Sequence, residues 1–169
     1  MRTLWNPFWA WYERHYVLNL SVAASLFVLQ IVHLYWLGAE PIATRVGGQS
    51  LFDPGGLLRY VIYLVDYAEI PALLGASLIY VNVLRRGFSP GPLVLLLFLN
   101  SQWLHIFWIT DEYVTSELSG TPAASGLPAW LAWVAILIDY LELPVIFDTL
   151  RRFAEAIRNR GRPRVASAP

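Results

Sequence analysis

The chain contains no cysteine, which excludes disulfides, iron–sulfur clusters, thiolate metal sites and thiol catalysis. It contains no lysine either; all twelve basic residues are Arg. Charge of either sign is scarce, at 14% of the 169 residues, and the two signs cancel to a net charge of zero, which says nothing about partners. What replaces charge is apolar. The chain is 57% hydrophobic with a mean hydropathy of +0.49, outside the range of ordinary soluble domains.

Four apolar stretches, at roughly 16–38, 57–84, 92–112 and 129–150, are each long enough to cross a bilayer, which takes about 20 residues. The first is too long for a signal-peptide core and no cleavage-like segment follows it, so it reads as a retained span. Ten Arg (Arg2, Arg14, Arg85, Arg86, Arg151, Arg152, Arg158, Arg160, Arg162, Arg164) fall at the termini or between the second and third spans; only Arg45 and Arg59 fall on the other side. The positive-inside rule then places both termini in the cytoplasm. The expected location is a prokaryotic inner (plasma) membrane, crossed several times. The Arg-rich tail reads as a topology anchor rather than a nucleic-acid site, and no nucleic-acid partner is expected.

Residues 1–15, with Trp5, Phe8, Trp9, Trp11 and Tyr12 among polar neighbours, read as an interfacial helix starting near Asn6-Pro7. Gly38 to Gly56 and Tyr113 to Pro128 read as outside loops, and Arg85 to Gly91 as a tight cytoplasmic turn. The fourth helix is expected to run past Phe153 until Gly161 and Pro163 stop it. The result is one transmembrane domain over 1–150 and a cytoplasmic Arg-rich tail over 154–169.

One motif is written twice. Gln30-x-x-His33-Leu-Tyr-Trp36-Leu-x-x-Glu40 recurs as Gln102-x-x-His105-Ile-Phe-Trp108-Ile-x-x-Glu112, 72 residues on. Asp66-Tyr67-x-Glu69-Ile-Pro71 recurs as Asp139-Tyr140-x-Glu142-Leu-Pro144, 73 residues on. The expected fold is an all-α integral membrane four-helix bundle. It is built from two tandem parallel helical hairpins, about 16–84 and 92–153, around a pseudo-two-fold axis. The residues shared by the halves are those a membrane tolerates least without a reason.

Helical spacing puts each motif on one face: Gln30, His33 and Glu40 form a stripe, and Asp66/Glu69 and Asp139/Glu142 are i, i+3 pairs. At about 1.5 Å per residue, His33 lies roughly 8 Å and Asp66 roughly 13 Å below the outer surface. Pro71 and Pro144 free the carbonyls of Tyr67 and Tyr140, which a membrane accepts where the backbone is buried or lines a cavity. Two His and four carboxylates are the inventory of dinuclear carboxylate-bridged sites in helical bundles, and two divalent ions need about four negative charges in a low-dielectric interior. Oxygen and imidazole donors suit Fe, Mn or Zn. The expected metal ligands are therefore His33, Asp66, Glu69, His105, Asp139 and Glu142. Gln30, Glu40, Gln102, Glu112, Tyr67 and Tyr140 are expected around them, and no catalytic residue is singled out. The spacing departs from the familiar bundle pattern, in which Glu and His share one helix.

The expected function is a membrane metalloprotein doing redox or hydrolytic chemistry on a lipid-soluble molecule. Transport of protons or divalent metals is a second reading; so small a subunit would then work as a homo-oligomer, and the inner half offers it only Asn82, Asp148 and Thr149. Asp148, four residues before Arg152, reads more simply as a helix-end ion pair. The stretches around His33, Glu69-Ile-Pro71 and Glu142-Leu-Pro144 resemble the four-span sterol-isomerase and sigma-2-receptor-like proteins. That resemblance covers those stretches alone and implies metal-free acid–base catalysis on a sterol or other lipid. Haem between His33 and His105 is a further cofactor reading. His15, Asp53, Thr110, Asp111 and Glu117 are given no role.

Overall fold

The computed structural model describes residues 5–52, 55–110, 114, 116–120 and 129–160. Among them the secondary structure is entirely helical: α1 (Trp5–Arg14), α2 (Tyr16–Leu37), a π-helical turn (Gly38–Ile42), α3 (Ala43–Gly47), α4 (Leu57–Tyr67), α5 (Glu69–Arg86), α6 (Pro90–Ile109), α7 (Ser116–Ser119), α8 (Ala129–Tyr140) and α9 (Glu142–Arg160). Four helical stretches are long and apolar enough to cross a membrane: Tyr16–Gly47, Leu57–Arg86, Pro90–Ile109 and Trp130–Asn159.

The interruptions follow from the prolines. Pro41 does not end the first long helix; the chain widens into a π-turn around it and stays helical to Gly47. A wider ring absorbs the N–H that proline lacks. The outside loop expected from Gly38 is thus helical for its first ten residues. The second and fourth long helices each break three residues before their proline, at Ala68 and Leu141, where Ala68 N–H bonds Leu64 O and Val65 O and Leu141 N–H bonds Ile138 O. At both breaks the chain tightens into i→i−3 bonds, Ala68 to Val65 beside its regular bond to Leu64, and Leu141 to Ile138. Both lie upstream of Pro71 and Pro144, whose rings leave Tyr67 and Tyr140 carbonyls without their usual donors. The fourth helix runs to Arg160, well beyond its apolar stretch.

The long helices form a ring. α2 packs on α4, α5 and α9, and α6 packs on α5, α8 and α9. Its exterior is apolar: Val32, Leu64, Leu97, Phe107, Leu137 and Phe147 are exposed. Its interior holds Gln30, His33, Asp66, Glu69, Gln102, His105, Asp139 and Glu142, all buried. Two apolar clusters flank that polar layer along the bundle. Trp36, Ile62, Trp108, Ala135 and Ile136 lie on the side of Ile42 and Phe52, and Phe27, Ala72, Ala76, Leu99 and Val145 on the other.

α1 is held to the opposite end. Glu13 pairs with Arg85 and with Arg86 (3.1 Å), and the Arg85 guanidinium lies over the Trp9 ring at 4.6 Å. The expected aromatic surface helix is therefore partly core: Tyr12 is buried against Leu20, Ala23 and Ile79. Desolvation pushes its phenol above the ordinary tyrosine range.

Candidate metal centre

The polar layer is assembled by both halves of the chain. α2 brings Gln30 and His33, the end of α4 and start of α5 bring Asp66 and Glu69, α6 brings Gln102 and His105, and the α8/α9 junction brings Asp139 and Glu142. The breaks at Ala68 and Leu141 set the direction in which each acid pair points. Gln30 and Gln102 anchor those breaks from across each hairpin. Gln30 Nε2 donates to Val65 O (3.1 Å), and Gln102 Nε2 donates to Ile138 O (2.9 Å) and Asp139 O (3.3 Å). The amides therefore hold the backbone beside each aspartate rather than the carboxylates themselves.

His33 stands between two acids. Its Nδ1 is hydrogen-bonded to Asp66 Oδ1, and its Nε2 lies 2.9 Å from Asp139 Oδ2. The His33 and Asp66 side chains thus meet directly across α2 and α4, although the first helix continues well past Gly38 to Gly47. The second histidine is placed differently. The His105 ring meets the His33 ring edge to face, with centroids 5.3 Å apart, and its Nε2 is 3.9 Å from Asp139 Oδ1. Two imidazoles in such edge-to-face contact do not stand on opposite faces of a porphyrin, the arrangement that bis-histidine haem ligation has.

Two groups of three donors result. His33, His105 and Asp139 offer atoms all within 4.8 Å of one another, and so do Glu69, Asp139 and Glu142. That spacing matches ligands around one ion, given metal–ligand distances of about 2.0–2.2 Å. Asp139 belongs to both groups. Asp66 belongs to neither; it holds the far nitrogen of His33, the position of an orienting carboxylate behind a ligating imidazole.

Hydrogen bonding within the protein does not satisfy this layer. Both Glu142 oxygens, Glu69 Oε1, Asp66 Oδ2, Asp139 Oδ1, both His105 nitrogens and the Oε1 atoms of Gln30 and Gln102 are buried without a hydrogen-bond partner. Native proteins rarely leave so many buried polar atoms in one place, and each costs about 1–3 kcal/mol if it stays unpaired. The tautomer sharpens the point. If Nδ1–H donates to Asp66, Nε2 presents a lone pair to a carboxylate oxygen 2.9 Å away. Two acceptors at that distance require a proton or a metal ion between them.

The remaining expected residues lie around the layer. Glu40 is half-buried and accepts a hydrogen bond from Trp36 Nε1. Glu112 lies outside the described residues. The two tyrosines cross between the halves. Tyr140 OH donates to Leu34 O (3.4 Å), while Tyr67 OH bonds Thr110 Oγ1 (2.7 Å), which itself donates to Ile106 O (2.8 Å). Leu34 and Ile106 are equivalent positions 72 residues apart, as are Gly38 and Thr110. Gly38 is small because a Cβ there would come within 3.2 Å of Tyr140 OH.

Sequence reasoning gave no role to four residues here. Trp36 and Trp108 pack on His33 and His105, with centroids 5.8 and 5.6 Å away, and Arg45 lies over Trp108 at 5.7 Å. For the two tryptophans, a place three residues after each motif histidine was the available signal. Thr110 carried no signal, since its counterpart is a glycine. Further along α9, Asp148 accepts from Arg152 Nε (2.5 Å), Arg151 (3.1 Å) and Tyr80 OH (3.2 Å), and so forms the expected helix-end ion pair.

No family model, curated protein or solved structure matches the chain, so the functional reading rests on the side chains of this layer.

Proposed function

We propose that the chain is an integral membrane metalloprotein that holds two divalent ions between two helical hairpins and uses them on a lipid-soluble substrate. The observation that carries this reading is the pair of buried donor triads that share Asp139. A carboxylate common to two triads is the geometry of a bridge, and paired ions in such sites stand about 3.5–4 Å apart. Charge agrees: two divalent ions balance the four carboxylates Asp66, Glu69, Asp139 and Glu142 when all are ionised.

The membrane part of the proposal is supported by the inverted distribution of polarity. An apolar exterior around a polar interior suits lipid as the solvent, where intramembrane acids face the bundle core. The Arg distribution orients the termini inward, which puts the metal layer in the outer half. The doubled motif and the matching breaks at Ala68 and Leu141 support two tandem hairpins around an axis normal to the membrane.

In this centre the residues have separate tasks. Asp66 holds His33 so that Nε2 faces Asp139. His33, His105, Glu69, Asp139 and Glu142 bind ions, and Gln30 and Gln102 fix the backbone that aims the aspartates. Bound ions would supply Lewis-acid activation of water or electron transfer. A mostly apolar cleft of ≈ 210 Å³, lined by Tyr60, Tyr63, Leu64, Tyr67, Val114 and Leu118, adjoins the helix that carries Asp66 and suits a lipid-soluble molecule. The apolar layer of Phe27, Ala72, Ala76, Leu99 and Val145 interrupts any polar route toward Asn82, Asp148 and Thr149, which disfavours transport.

Elemental analysis with an absorption spectrum of the purified full chain tests the proposal. The expected result is near two equivalents of Fe, Mn or Zn; protein lacking stoichiometric metal after purification and after reconstitution overturns it. One observation favours a second reading. The Asp66–His33–Asp139 hydrogen-bond chain can hold a proton where the first reading holds an ion, as acid–base isomerisation of a lipid requires. Lipid isomerisation by chelated, metal-free protein that is lost in His33→Gln would establish it.

A further inference from the structure

The two donor triads are not alike. One offers two imidazole nitrogens and a share of Asp139; the other offers oxygen only, from Glu69, Glu142 and Asp139. Every residue in both is buried, and neither the His105 nitrogens nor the Glu142 oxygens have a partner within the protein. The triads therefore differ in softness and in charge. The nitrogen-rich position carries little negative charge of its own, and its nearest further acid, Asp66, acts through His33. The oxygen position carries two full carboxylates besides the shared one.

We propose, resting on the metalloprotein reading, that the centre is heterodinuclear. The His33–His105–Asp139 position takes a borderline ion, Zn²⁺ or Fe²⁺, and the Glu69–Asp139–Glu142 position takes a hard ion, Mn²⁺ or Mg²⁺. Imidazole suits Zn and Fe, whereas all-oxygen sets suit Mg and Mn. A site of three oxygens gains little from the general preference for later transition ions, while the two imidazoles amplify it. Asp139 then ties the two occupancies together, so the first ion bound sets the orientation of the carboxylate that receives the second.

The test uses full-length protein in detergent, stripped with chelator, then given equimolar Zn²⁺ and Mn²⁺. Metal content is read by elemental analysis and the manganese environment by electron paramagnetic resonance. One Zn and one Mn per chain, with the spectrum of isolated rather than paired Mn²⁺, is the expected result. Glu142→Gln is expected to weaken Mn²⁺ binding about 100-fold and leave Zn²⁺ binding within about 10-fold, and His105→Gln the reverse. Retention of one ion by each variant also reports that the variant is folded. Two Zn with Mn excluded, or loss of both ions by both variants alike, overturns the heterodinuclear assignment but keeps the metalloprotein reading. Binding of neither ion by the wild-type chain overturns both.

Discussion

The two copies of the motif present the same residues and use them differently. In the first half His33 is engaged on both ring nitrogens, by Asp66 from its own hairpin and by Asp139 from the other. In the second half His105 makes no side-chain hydrogen bond, and Asp139 bonds His33 through one oxygen while the other stays 3.9 Å from its own histidine. Asp66 is consequently a local orienting group, and Asp139 is the residue on which the whole layer converges. Equivalence in sequence thus marks where polar atoms stand and leaves open which one becomes the hub. The same holds for the tyrosines: Tyr140 reaches a backbone carbonyl across the space over Gly38, while Tyr67 reaches the equivalent carbonyl through Thr110.

The aspartates give the sharpest contrast. Asp139→Asn is expected to abolish stoichiometric metal binding, whereas Asp66→Asn lowers affinity by about 10–100-fold and keeps the stoichiometry, as loss of an orienting partner does. Equal losses in a metal titration would break the distinction between them. Next come the histidines, compared by thermal unfolding of metal-free protein. His33→Ala strips a partner from two buried carboxylates and is expected to cost about 3 kcal/mol. His105→Ala removes no side-chain hydrogen bond and is expected to cost about half that, mostly as lost packing. The tyrosines follow, with smaller effects. Tyr140→Phe and Tyr67→Phe are each expected to cost about 1 kcal/mol or less. Gly38→Ala should weaken the Tyr140 contact and add nothing further in a Tyr140→Phe background; additive losses would show that the glycine serves something else. Smallest is Tyr12→Phe. Its buried hydroxyl has no hydrogen-bond partner, so the change in midpoint is expected to stay within about 0.5 kcal/mol of zero.

Much of this arrangement was legible beforehand, because burial of polar groups in an apolar chain is a strong signal. The four long helices, the breaks next to Pro71 and Pro144 and the gathering of His33, Asp66, Glu69, His105, Asp139 and Glu142 in one layer all follow from spacing. Three things did not. The helix running through Pro41 depends on a π-turn, which the proline itself argues against. The division of labour between Asp66 and Asp139 depends on side-chain directions that two equivalent motifs cannot distinguish. The roles of Trp36 and Trp108 were hidden by their composition, since indoles near a span's end read as interfacial anchors.

Those two indoles carry a consequence for timing. Trp36 and Trp108 are almost wholly buried over the histidines, one tied to Glu40 and the other beneath Arg45. A second apolar layer closes the other side. An ion inside such a compartment exchanges with water only when the lid opens, so tightness and speed become separate properties. Such a protein would outlast a brief chelator challenge through slow release alone. Any ion such a compartment held would enter most readily before the indoles had settled into place.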